Sequence, residues 1–282
     1  MTEVPRCSLI LMAATLAAVG AQCSPRHAET VSSSGSGHAL NSAAVVAHVE
    51  LDPAPVSLST LRTRRVRVDD PVYRTQKEYE GYDIGDVVDA VFGPDARRSP
   101  QIDIVFVCSD GYRATLPMAH ARDGGVLATR DVSVPADVRW QPLRQGREYM
   151  LPAPYYLVWP AQRDPALQYP WPYRVVALEL ALPEPKVRTG DATVAHGEDV
   201  FRRDCATCHA INLQGGTLGP ELNVPINVTE YWEPKTLRIL IRNPALVRAS
   251  SKMPAFPQLG DGDVDALVAY LTFMKGQKVE LH

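Results

Sequence analysis

Asp204-Cys205-Ala206-Thr207-Cys208-His209 decides how the last third of this 282-residue sequence reads. Two thiols three residues apart can add to the two vinyl groups on one edge of a porphyrin, and the adjacent imidazole of His209 then points at the iron. Cys-x-x-Cys-His is the c-type haem attachment pattern. A zinc knuckle would want a fourth Cys or His at matching spacing, and no second paired ligand set follows. A thioredoxin-like redox pair would sit after a strand, whereas the segment before Cys205 reads as a helix.

Working outward, Asp191 to Arg203 is the expected first helix. Pro234 to Arg242 opens on proline and places Leu237, Leu240 and Ile241 at helical spacing. Val264, Leu267, Val268, Leu271 and Met274 repeat at i, i+3, i+4, i+7 and i+10, with Asp261 or Asp263 as the expected cap. Between these helices runs Lys252-Met253-Pro254-Ala255-Phe256. Met253 stands in a proline-bounded loop, a poor place for core packing and a good place for a rigid axial thioether; Met274 fits the core instead.

Cys205 to His209, Gly219-Pro220 and Lys252-Met253-Pro254 together resemble a class I monohaem cytochrome c over about residues 190 to 276. The resemblance implies an all-α domain at residues 190–282 with one haem c, bound covalently by Cys205 and Cys208 and ligated at iron by His209 and Met253. It implies that the Pro220 carbonyl accepts a hydrogen bond from the His209 imidazole, and that Gly197 and Phe201 on the first helix face Tyr270 on the last. Trp232, Tyr231 and Asn227 are candidate partners for the haem propionates, and Arg238, Arg242, Arg248 and Lys252 a candidate basic docking rim.

Residues 56–182 carry mainly strand signals. Gln101 to Cys108 alternates Ile102, Ile104, Phe106 and Cys108 on one face, and Asp110-Gly111 turns the chain into Tyr112 to Leu116 as a hairpin. Arg174 to Leu182 is a further strand, and Ile84 to Phe92 a short helix with Asp83 as cap and Gly93-Pro94 as stop. The string Ser109-Asp110-Gly111-Tyr112, followed by the aromatic and proline-rich runs at 154–160 and 170–173, resembles the later part of the sulfite-oxidase-like molybdopterin-binding fold. Too little sequence precedes it to supply that family's cofactor loops, so no molybdopterin is expected, and Cys108 reads as a small buried hydrophobe. Tyr149, Tyr155, Tyr156, Trp159, Trp171 and Tyr173 read as core, with an interaction face as the alternative. The expected fold class is therefore α+β: a mostly-β domain with one or two short helices, a linker at 183–189, and an all-α domain.

Arg6, the apolar run Cys7 to Val19 and the small residues Gly20-Ala21 have the order of a signal peptide at residues 1–21. The run is shorter than the roughly 20 residues a spanning helix needs. Cys23 is a candidate lipidation site, although Gln22 before it departs from the small residue such a signal wants. Residues 22–55 read as a Ser/Gly-rich tether. Lys plus Arg number 29 against 32 Asp plus Glu, a net charge of -3, which lacks the basic excess of a nucleic-acid binder. The expected protein is an exported, periplasmic electron carrier with redox-protein partners, one of them a membrane respiratory complex, tethered through Cys23 or an uncleaved N-terminus. Two alternatives stand: the haem-bearing part of a molybdopterin-type oxidoreductase, and a docking or relay subunit of a respiratory complex. No Ser-His-acid arrangement or glycine-rich phosphate loop is legible, so an electron carrier is favoured over an enzyme with its own substrate.

Overall fold

Antiparallel pairing organises the first part of the chain. The computed structural model describes residues 45–98, 101–145, 148–160, 169–183 and 185–281; the expected signal peptide, Cys23 and the tether up to residue 44 lie outside them. The strands are β1 (Val45–Glu50), β2 (Thr63–Asp70), β3 (Thr75–Asp83), β4 (Asp103–Cys108), β5 (Arg113–Pro117), β6 (Val126–Asp131), β7 (Leu143–Gln145), β8 (Glu148–Met150), β9 (Tyr155–Val158) and β10 (Tyr173–Ala181). β7 and β8 form a separate hairpin; the other eight make one sheet, seven of them ordered β2-β3-β6-β9-β10-β4-β5 and β1 paired to β10 off that path. β10 is the hub. One edge pairs with β4, and the other is shared by β9, near Tyr173 and Val175, and β1, near Ala177 to Ala181.

Helix α1 (Ile84–Phe92) has the expected bounds: the Asp83 carboxylate accepts from the Gly85 N–H, and Gly93 ends it. Its buried Ile84, Val87 and Val88 pack on one part of the core with Phe106, Leu157 and Leu178. A second cluster gathers Val66, Val68, Tyr79, Trp140 and Tyr156. There the buried Asp70 carboxylate accepts from the Tyr79 hydroxyl at 2.7 Å, the Tyr156 hydroxyl at 3.3 Å and the main-chain N–H groups of Val72 and Tyr73. Burial, first, and the Asp70 charge push both tyrosine hydroxyls far above their ordinary pKa.

One boundary moves. Residues 45–50 were expected within the tether, yet they form β1, because Val45, Ala47 and Val49 alternate with exposed residues and bond to β10. The expected aromatic core holds for Tyr155, Tyr156 and Trp159, which are buried; Tyr149 stands exposed on β8.

The second part is helical: α2 (Ala192–Asp204), the single turn α3 (Val228–Tyr231), α4 (Pro234–Arg242) and α5 (Asp261–Met274). Asp191 caps α2 by accepting from the Thr193 and Val194 N–H groups. Helices α2 and α5 cross at Gly197, beside Phe201 and Tyr270, whose ring centroids are 5.6 Å apart. Val264, Leu267, Val268, Leu271 and Met274 all face the helical core. The cap of α5 differs from expectation. Gly260 holds the cap position, and the Asp263 carboxylate reaches back to its N–H at 3.0 Å. The mostly-β region followed by a helical region is the expected α+β class, and among the described residues no helix is long and apolar enough to cross a membrane.

Candidate cofactor site

Helix α2 delivers the Cys-x-x-Cys-His run at its C-terminal end, where Cys205 is the C-cap. The Cys208 and His209 N–H groups both bond back to the Cys205 carbonyl, so the motif is one tight turn. Burial, with Asp204 and Cys208 adding, pushes the Cys205 thiol up to about 12, and burial raises Cys208 as well. Raised thiols, Cys205 buried and Cys208 half-buried, are the reverse of a thioredoxin-like pair, whose attacking cysteine has a depressed pKa.

His209 is fixed by its neighbour. Its Nδ1 lies 2.8 Å from the Pro220 carbonyl oxygen. A carbonyl only accepts, so Nδ1 carries the proton and the Nε2 lone pair is left to ligate. Burial holds the imidazole below its ordinary pKa, against the opposing pull of the Pro220 carbonyl and Glu221, and the neutral ligand form is favoured. Gly219 lets the chain pass the ring, since a Cβ there would stand 2.4 Å from His209 Cε1.

These groups open on a cavity of about 800 Å³, lined by Cys205, Cys208, His209 and, from the far loop, Met253. The loop is held partly by the Met253 N–H donating to Ser251 Oγ at 3.2 Å. Two thiols, an imidazole and a thioether around one largely apolar space fit a haem c and its two axial positions. Tyr231 and Trp232 also line the cavity. Asn227 does not join them: its side chain caps α3, accepts from Thr229, and donates to Asn223 and the Leu271 carbonyl. A buried amide so fully bonded has nothing left for a propionate.

The expected basic rim is largely neutralised. Arg238 pairs with Asp265 at 2.6 Å, Arg242 with Asp261, and Lys252 with Glu148 on β8 at 3.0 Å, while the Arg248 guanidinium lies 5.5 Å over the Trp232 ring.

What the sequence did not reveal is that the sheet reaches this site. Arg113 N–H donates to the Thr207 carbonyl at 2.9 Å, and Thr217 N–H to the Gly111 carbonyl at 2.8 Å. Tyr112, whose hydroxyl is hydrogen-bonded to Thr207, is pushed up to about 12 chiefly by burial. Cys108 sits behind this hairpin, buried, with its thiol raised by burial as befits a core residue. Among the described residues no group of three or more His, Cys, Asp or Glu is arranged to hold a metal ion.

Residues 192–271 match the family described as cytochrome c oxidase, cbb3-type, subunit III. Over 86 residues the chain is 33% identical to cytochrome c oxidase subunit 2 of Alkalihalophilus pseudofirmus, a stretch covering 28% of this chain and 25% of that protein. Over 85 residues it is 29% identical to cytochrome c6 of Cyanidioschyzon merolae, covering 28% of this chain and 73% of that protein. The matches and the helical fold agree that the C-terminal region is a cytochrome c domain, the kind of domain that serves haem-based electron transfer.

Proposed function

We propose that this chain carries a single haem c, attached by thioether bonds to Cys205 and Cys208, and passes single electrons between redox proteins of a respiratory chain on the outer side of the cytoplasmic membrane. The observation that carries the reading is a single cavity lined both by the Cys-x-x-Cys-His turn and by Met253, residues far apart in the chain. When bound, the haem supplies reversible Fe(III)/Fe(II) cycling. His209 and Met253 would hold its iron, leaving no easy site for oxygen or a substrate. The Pro220 carbonyl orients His209 and would strengthen its donation to the iron, and the thioether of Met253 would favour the ferrous state. Export would be directed by residues 1–21, with Cys23 or an uncleaved N-terminus as the tether.

Expression with c-type maturation machinery tests this. Haem should remain on the protein through denaturing electrophoresis, with one haem per chain, and Cys205→Ser with Cys208→Ser should abolish it. A wild-type protein without covalent haem sinks the proposal. Stoichiometric molybdenum in the purified protein would instead favour the haem-bearing part of a molybdopterin-type oxidoreductase. A second reading, an internal relay within a respiratory complex, draws on the likeness to an oxidase subunit; co-purification from gently solubilised membranes separates it from a free shuttle.

A further inference from the structure

We propose that the β-sheet part of this chain forms the second wall of the haem pocket, with Tyr112 and Trp171 in contact with the bound haem, so that the sheet sets how far that haem is exposed to water and small molecules. The inference rests on the haem reading above and extends it to residues outside the cytochrome c domain.

Three observations carry it. First, the cavity is not built by the helices alone: Asp110, Tyr112, Trp171, Pro172 and Tyr173 from the sheet part line it together with Cys208, His209 and Met253. Second, the turn between β4 and β5 is bonded to the attachment motif itself. Arg113 N–H donates to Thr207 between the two cysteines, and the Gly111 carbonyl accepts from Thr217. The approach is close: Gly111 has φ of +89°, and a Cβ there would lie 2.3 Å from Thr217 Oγ1 and 3.1 Å from the Leu218 main-chain nitrogen. Only glycine meets both demands. Third, the indole N–H of Trp171 is buried with no hydrogen-bond partner among the described residues, although the ring lines the cavity. Arg130 Nε and Trp140 Nε1 are likewise buried without a partner among the described residues, but of the three only Trp171 belongs to a residue of this cavity, where a ligand or an ordered water can bring the acceptor.

Exclusion of water has a direct redox meaning. A less solvated site disfavours the extra charge of ferric iron, so a wall that covers the haem raises its potential and slows small reductants. The sheet then acts on the redox behaviour of the helical part without contributing an iron ligand.

Two variants of the full-length, haem-loaded protein test this. Gly111→Val drives the turn off Thr217; the haem should stay covalently attached, while the midpoint potential falls and reduction by ascorbate becomes severalfold faster. Trp171→Phe keeps an aromatic ring but removes the unpaired donor; the Soret band and the potential should shift while the urea denaturation midpoint stays near wild type. Wild-type spectra, potential and ascorbate rate in both variants would overturn the proposal and leave the haem reading intact. If Gly111→Val does not accumulate, Trp171→Phe alone decides. Absence of covalent haem from the wild type would overturn both.

Discussion

Gly197 on α2 lies so close to α5 that a Cβ there would stand 1.9 Å from the Ala266 carbonyl oxygen and 2.7 Å from Tyr270 Cβ. The contact is backbone on backbone, so no side-chain rotation relieves it. Gly197→Ala must push the helices apart and disturb the Phe201–Tyr270 contact. We expect a loss of about 1–3 kcal/mol in urea denaturation, the scale of an overpacked core. An unchanged midpoint would show that the crossing is looser than this geometry.

Met253→Ala removes the thioether from the cavity. The haem-loaded variant should keep its covalent haem, fall in potential, and bind carbon monoxide, because one axial position is vacated. A spectrum unchanged from wild type would remove Met253 as the ligand.

Asp70→Ala strips the acceptor from two buried tyrosine hydroxyls and two main-chain N–H groups. Leaving buried donors unpaired costs the full desolvation of each, so a loss of about 3 kcal/mol is expected, read as a lower urea midpoint at unchanged slope.

His48 on β1 sits between Glu50 and Glu179, 3.0 Å from each, and Glu179 also pairs with Arg113. Burial opposes the charged imidazole, but bonding and attraction to the two carboxylates prevail and raise the pKa. A raised folded-state pKa gives stability that is fully present below the unfolded value of about 6.5 and is lost as pH rises through the folded value. The stability difference between wild type and His48→Gln should therefore be largest at acid pH and fade toward alkaline pH. A difference constant across that range would contradict the ion-pair account.

Local signals carried much of this architecture. α1 was legible to the residue because Asp83 and Gly93 bracket an apolar run. α2 was expected over Asp191 to Arg203 and lies one residue on, because Asp191 is its cap and not its first turn. The β2–β3 hairpin was hidden by its own surface: Arg65–Glu80 and Arg67–Glu78 face one another across the strands, so the charged face masks the alternation of the buried Val66 and Val68. β1 was masked by the Ser/Gly composition before it, and its partner β10 lies far along the chain. The attachment motif was plain because five adjacent residues bear its chemistry. Trp171 and Tyr112 were not, because what brings them to the cavity is the docking of a sheet turn on a helix end, and no spacing in the chain encodes that.

Only residues 182–191 join the end of β10 to the start of α2. Tethered this briefly, the hairpin and the attachment turn meet at an effective concentration on the order of millimolar, whatever the amount of protein in solution. Two main-chain hydrogen bonds, a glycine contact, the Tyr112–Thr207 bond and the exposed Lys252–Glu148 pair, too little to unite separate molecules, then suffice to keep them together. A weakened seam would accordingly yield a fraction of open molecules that does not change on dilution.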